Sequence, residues 1–386
     1  MRRAFAAFLI LGIVACSQST PPSPTPVPET PAARSQDAPP ATPLDSYRLT
    51  GPFSHGNQSI YLVHATNPSQ DDYGCLTLEE ALKSGALKVT EKAQGAEVNE
   101  LQVENTGEKP VYLQAGDTVK GGKQDRTIAV DTMLPAKSGP RGIDAFCVEP
   151  GRWHVRQGGR SLVTASFEEA KAPVATNEQK LAIRLEKDQS KVWAAGEKVN
   201  RDLATLSKPE AGTNPAEPAL VAPQQGGGGQ LSATSAGITG VFSGQKNSYV
   251  EAIEDAEVQK KLAERIAALE TAILGKTDAV GAVFCMNGKL RSAEIYASAG
   301  LFRKLWPKLL RSASVEAISR QKEATATAIP PTDAEVRTML ADLASGKGKE
   351  EVRSDGQTVR IYNKEKAVLF DTEVNGKLLH RQALTK

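Results

Sequence analysis

Two short polar runs carry the side chains best suited to chemistry. The first, Lys120-Gly121-Gly122-Lys123-Gln124-Asp125-Arg126, sets paired glycines between cationic side chains. Glycine lets the backbone turn sharply and point its amides at an anion. The run is not a Walker loop, because Lys123 precedes Gln124 and a strand rather than a helix is expected to follow. Its plain alternative is a hairpin turn with solvated charges. The second run, Phe146-Cys147-Val148-Glu149-Pro150-Gly151-Arg152-Trp153-His154, closes an expected strand. Alternation puts Cys147 and Glu149 on one face and Phe146 and Val148 on the other. A thiol beside an acid could act as nucleophile and base, yet a neighbouring carboxylate raises a thiol pKa and disfavours the thiolate. His154 lies beyond the Pro150-Gly151 turn, so only the fold could return it. A structural cysteine, with Glu149 paired to Arg152 or Arg126, is the competing reading.

The elements that must hold these runs are legible in pattern. Thr77 and Glu80 form a capping box, and Gly85 marks the stop of the short helix that follows. Strand character recurs at Ala86 to Thr90, Val98 to Glu104, Val111 to Gln114, Thr127 to Leu134 and Ile143 to Glu149, with turn signals between. That pattern predicts an antiparallel sandwich or a barrel-like N-terminal part. Leu181, Leu185, Val192, Val199 and Leu203 predict one helix from Asn177 to about Leu206. Residues 207–248, with Gly226 to Gly229 in a row, read as a flexible loop. A second amphipathic helix is expected from Tyr249 to Leu274. Val280 to Met286 and Lys289 to Ala297 form a hairpin about Asn287-Gly288, leading into a helix near Leu301 to Ile318. Thr332-Asp333 caps a helix to about Ala344, and three short strands around Asp355-Gly356, Asn363-Lys364 and Asn375-Gly376 end the chain. The fold class is therefore α+β, with a C-terminal antiparallel sheet packed against the rest.

Location is written at the N-terminus. Arg2 and Arg3 precede an apolar run, Ala4 to Val14, that is shorter than the roughly 20 residues a lasting membrane helix needs. Ile13-Val14-Ala15-Cys16 resembles a lipobox, so residues 1–15 are expected to be removed and Cys16 lipidated. Residues 16–45, rich in Pro, Ser, Thr and Ala, would form a disordered tether. Ser17 is not the aspartate that retains lipoproteins at the inner membrane, so a chain facing the periplasm from the outer membrane is expected. The folded part then divides into 46–320, containing the 207–248 loop, and a C-terminal helix and strands over 321–386.

Composition narrows the partners. Losing Arg2 and Arg3 takes Lys plus Arg from 47 to 45, equal to Asp plus Glu at 45. No basic stripe with interleaved aromatics appears, so no nucleic-acid partner is expected. Aromatic content of 5% also weighs against a sugar-stacking surface. Cys75, Cys147 and Cys285 match no zinc spacing, and His55, His64, His154 and His380 are scattered, so neither metal nor cofactor is expected. Export would permit one disulfide among the three cysteines and leave one free thiol.

The runs Leu101 to Thr106, Ala115-Gly116-Asp117, Lys120 to Arg126, Phe146 to Glu149 with Gly151-Arg152-Trp153, and Phe302 to Ser312 resemble the ARG and rhodanese-phosphatase-superfamily-associated protein domain. Pro150, where a polar residue is common, and the long Gly-rich stretch before Tyr249 depart from that pattern. The resemblance implies a domain of unknown biochemical function, with at most a link to ADP-ribose or phosphorylated nucleotides, and it assigns no catalytic residue. Three readings stay open. One is a tethered module that binds an anionic small ligand, ADP-ribose-like or phosphate-like, through Lys123, Gln124, Asp125, Arg126, Glu149, Arg152 and Trp153. Another is a hydrolase using Asp125 or Glu149 as general base, with Arg152 stabilising developing charge. The third is a structural envelope lipoprotein in which the two clusters never meet. The membrane, through the lipid on Cys16, is the expected partner in each; no protein partner can be named.

Overall fold

The computed structural model describes residues 47–91, 99–121, 124–150, 167–206, 249–324, 328–353 and 356–386. Its largest layer is an eight-stranded antiparallel sheet in the order β1 (Arg48–His55), β2 (Gln58–His64), β12 (Ala279–Met286), β13 (Lys289–Tyr296), β17 (Lys377–Thr385), β16 (Ala367–Val374), β15 (Gln357–Asn363) and β14 (Lys349–Val352). Both ends of the described chain therefore build one sheet. The Asn-Gly pairs act as expected: Asn287 and Gly288, like Asn375 and Gly376, adopt positive φ and close tight hairpins. The three turns at the C-terminus separate four strands, β14 to β17, rather than three.

The β1–β2 hairpin carries no Asn-Gly signal, and the sequence pattern left it unassigned. Strand β2 is buried along its whole length, as a strand covered on both faces must be. Ile60 and Leu62 face α6 (Ala299–Ser319), packing with Phe302, Leu305 and Leu309, while Tyr61 and Val63 face α7 (Asp333–Ala344) and Leu340. Each such large side chain contributes about 1.5–3 kcal/mol on burial. This two-sided cover is what holds the sheet's centre.

A second, curled sheet runs β11 (Phe167–Val174), β7 (Asp117–Gly121), β8 (Arg126–Ile128), β10 (Arg141–Cys147), β5 (Glu100–Asn105) and β4 (Leu87–Glu91). A small third sheet joins β3 (Leu76–Thr77), β6 (Val111–Leu113) and β9 (Thr132–Leu134). The expected Thr127 to Leu134 strand is thus split between two sheets. The break falls where Asp131 turns inward and its carboxylate takes the backbone N–H of Ala115 (3.0 Å). Helix α1 (Leu78–Lys83) has the expected capping box and buries Leu78 and Ala81 against this β-rich half.

Both long helices expected from periodicity are interrupted by an aspartate. The first is α2 (Asn177–Leu181), capped by Thr176, then a π-helical turn over Ala182–Glu186, then α3 (Gln189–Ala204). Lys187 is left-handed (φ 53°), and the Asp188 carboxylate accepts the amides of Ser190 and Lys191 to start α3 anew. The second is α4 (Tyr249–Ile253) followed by α5 (Ala256–Leu269), where Asp255 caps Glu257 N–H (3.0 Å). An apolar stripe is blind to such restarts, because the side-chain period carries on across the cap.

Candidate functional site

The two polar runs meet. Strands β8 and β10 pair antiparallel with Cys147 opposite Arg126, which brings the end of the first run against the second. Strands β7 and β8 are the arms of the hairpin containing Gly121. At its closure Gly121 N–H donates to Asp125 Oδ1 (3.0 Å), and Asp125 N–H donates to Glu149 Oε2 (2.9 Å). Val148 N–H donates to the Asp125 carbonyl (3.0 Å), so both carboxylates serve to lock turn to strand.

Asp125, Arg126 and Glu149 are buried, which overturns the solvated-turn reading for these side chains. The Arg126 guanidinium contacts Cys147 Sγ and lies 3.8 Å from Glu91 Oε1. Gln189 of α3 brackets the Cys147 peptide, accepting from its N–H (2.9 Å) and donating to its carbonyl (2.7 Å). Burial pushes the Cys147 thiol up to about 11, against the opposing pull of Arg126, which disfavours the thiolate at neutral pH. Cys75 and Cys285 are likewise buried free thiols, and no disulfide links the three. Beside this knot the Gln124 amide is fully buried, and among the described residues neither its nitrogen nor its oxygen has a hydrogen-bond partner. Cys16, Lys123, Arg152 and Trp153 lie outside the described residues.

A second polar assembly was not legible in any motif. His380 of β17 sits between two buried carboxylates, with Nδ1 3.1 Å from Asp131 Oδ1 and Nε2 2.8 Å from Glu294 Oε2. Ionised carboxylates only accept, so this placement favours the form with a proton on both ring nitrogens, the imidazolium. Lys180 Nζ donates to Glu294 Oε1 (2.6 Å), and Gln382 Nε2 donates to both oxygens of Glu294 (3.0 Å each). Arg184, four residues after Lys180, reaches Gln382 Oε1 (2.9 Å) and Asp131 Oδ2 (3.4 Å). Thr372 Oγ1 and Tyr112 Oη also donate to Asp131, at 2.7 and 3.0 Å. Tyr296 stacks on His380 with ring centroids 4.5 Å apart.

Burial alone would raise the Glu294 carboxyl, but Lys180 and His380 reverse it and hold it at about 2. Asp131 behaves alike, held far below the carboxylate range by His380 and Arg184 in spite of burial. Burial lowers His380, and the two carboxylates more than compensate, so it ends above its ordinary value. A neighbouring pair, Lys308 of α6 and Asp117 of β7, closes at 2.6 Å, with Gln114 N–H on the other Asp117 oxygen (2.8 Å). There burial wins, and Asp117 titrates above its ordinary value even with Lys308 attached. This ionic seam ties the eight-stranded sheet to α2, α6 and the β6–β9 region. The faint sequence signal was His380-Arg381-Gln382, consecutive polar residues between the apolar pairs Leu378-Leu379 and Ala383-Leu384 of one strand.

Two clefts reach the seam. The larger, about 740 Å³, lies along α5 and α6 and includes Trp306, Pro307, Lys308, Leu310 and Arg311, all within the Phe302 to Ser312 run. The smaller, about 160 Å³, is lined by Arg184 and Phe370, whose ring centroid lies 4.3 Å from the guanidinium carbon. Among the described residues no group of His, Cys, Asp and Glu side chains could hold a metal ion. No described helix is long and apolar enough to cross a membrane.

These features define an α+β domain in which a broad antiparallel sheet and a curled sheet are joined by buried ion pairs. The chain belongs to the family of the ARG and Rhodanese-Phosphatase-superfamily-associated Protein domain, whose model matches residues 46–384. The match runs through the last helix and strands, which complete the large sheet. Neither curated proteins nor solved structures gave a match.

Proposed function

We propose that this chain is a membrane-tethered binding module of the cell envelope that holds an anionic small ligand, ADP-ribose-like or phosphate-like, where the two polar runs meet. The observation that carries this reading is Gln124, whose amide is buried beside Arg126 with neither end partnered among the described residues. A buried amide without partners costs about 1–3 kcal/mol, a cost a ligand offering a donor and an acceptor would remove. The described groups at the knot set Glu91, Asp125 and Glu149 against Arg126, so the reading depends on further positive charge, for which Lys123 and Arg152 are the sequence's candidates.

The hydrolase reading gains no support from its two bases. Asp125 and Glu149 already accept backbone amides that lock the turn to the strand. Thermal unfolding against ADP-ribose, nucleotides, sugar phosphates and simple anions tests the binding reading. A ligand present at about 100 times its Kd should add about 2.7 kcal/mol. That gain should vanish in Gln124→Ala and in Lys123→Ala/Arg152→Ala proteins. A panel with no selective response, or an undiminished response in those variants, would overturn it.

Anchoring rests on Ile13-Val14-Ala15-Cys16 and the Pro-rich segment that follows. Cells fed a labelled fatty acid should incorporate it into this protein and not into a Cys16→Ser variant, which should also leave the membrane fraction. Equal labelling of both proteins would exclude Cys16 as the acceptor.

A further inference from the structure

Away from both polar runs, the turn of the β1–β2 hairpin packs against an arginine of α5 that has no counter-ion among the described residues. Arg265 is 5% exposed and forms no ion pair with any described carboxylate. Its Nη1 donates to the His55 carbonyl (2.9 Å) and to Gln58 Oε1 (3.5 Å). The hydrogens on Nε and Nη2 have no acceptor among the described residues. Burial pushes its pKa down, and no neighbouring acid acts in the other direction. Every other buried cation described above, Lys180, Arg184, Lys308 and Arg126, lies against a carboxylate.

The surroundings favour an anion. Gln58 is fully buried, its Oε1 accepts from Ser314 Oγ (3.3 Å), and its Nε2 donor has no partner among the described residues. Gly56, at positive φ in the two-residue turn, leaves the guanidinium edge uncovered: a Cβ there would sit 3.3 Å from Nη2. Lys261, one helical turn before Arg265 and on the same helix face, is half-buried and also has no described carboxylate partner. A buried cation without compensation is costly, and the side chains present supply donors and positive charge but no negative group.

We propose that Arg265, with Lys261 and the Gly56 turn, forms a phosphate-binding site separate from the one proposed above. Two positive charges match a phosphate monoester, which carries about −1.5 to −2 at pH 7, better than a single carboxylate. The planar guanidinium fork offers Nε and Nη2 side by side, the geometry that grips two oxygens of one phosphate.

The test is thermal unfolding of the full chain titrated with inorganic phosphate, glycerol 3-phosphate and a short-chain phosphatidylglycerol, each against sodium chloride of equal ionic strength. Phosphate should raise the midpoint saturably, with affinity about tenfold or more weaker in Arg265→Met. Lys261→Ala, at a half-buried position that leaves the core untouched, should weaken it in the same direction and stands in if Arg265→Met does not fold. Tighter binding of the phosphate monoesters assigns the site to soluble phosphates, and tighter binding of the short-chain lipid assigns it to a headgroup; both outcomes support the site. Absence of any response beyond chloride, or an equal response in wild type, Arg265→Met and Lys261→Ala, would overturn it. Lys123→Ala/Arg152→Ala protein should respond as wild type, so the two binding proposals fail independently.

Discussion

Replacing Asp131 with alanine should lower the unfolding free energy by about 3–5 kcal/mol, a large share of the 5–15 kcal/mol typical of a folded domain. The carboxylate receives five donors: Tyr112 Oη, Ala115 N–H, His380 Nδ1, Arg184 Nη2 and Thr372 Oγ1. Alanine would leave the guanidinium of Arg184 buried without its counter-charge and the Ala115 amide without an acceptor. The contrast is with Glu104, whose bridge to Lys88 is solvent-exposed, so Glu104→Ala should change stability by only about 0–1 kcal/mol. Urea unfolding of both variants measures the difference, with an unchanged slope showing that the denatured state is comparable. A loss below about 1 kcal/mol in Asp131→Ala would mean that water or rearranged side chains satisfy the seam.

Glu294→Ala should cost a similar amount, about 3–5 kcal/mol, and should also reshape the pH dependence of stability. His380 titrates above its ordinary value when folded, so its contribution is complete below about pH 6.5 and is lost as pH rises through the folded value. Glu294, held at about 2 against an ordinary 4.5, contributes fully above pH 4.5 and loses that contribution as pH falls towards 2. Asp131 shifts in the same direction as Glu294. All three therefore contribute together between about pH 4.5 and 6.5, with decline on either side. Removing Glu294 takes from His380 one of the two carboxylates that sustain its charge, so the alkaline decline should begin at lower pH. Urea midpoints measured from pH 4 to 9 for wild type and Glu294→Ala test this. An alkaline limb that does not move would show that Glu294 does not help to hold the His380 proton.

The polar knot and the seam differ in how they announce themselves. Asp125, Arg126, Cys147 and Glu149 stand in two compact runs, and the β8–β10 register needed only to bring those runs together. Lys180, Glu294, Lys308 and His380 come from four separate elements and Asp131 from the connection between β8 and β9. A lone charge in a strand or helix looks like a solvated face until the layer that buries it is known.

The same division holds for Arg265. Its position on α5 follows from helical periodicity, but that it meets a backbone carbonyl rather than a described carboxylate depends on the β1–β2 turn, more than two hundred residues earlier in the chain. Caps and turns were readable because their hydrogen bonds close within a few residues: Thr77 with Glu80, Thr332 with Glu335, and the two Asn-Gly hairpins. Local chemistry alone determined these, along with the strand and helix alternation that makes the chain α+β. Tertiary structure alone decided that β2 inserts beside β12, that Asp131 breaks a strand to face His380, and that the two polar runs meet. Those outcomes depend on which apolar faces and which charges find one another across the whole chain. Burial and ion pairing are pairwise quantities, and no single segment of sequence contains both members of the pair.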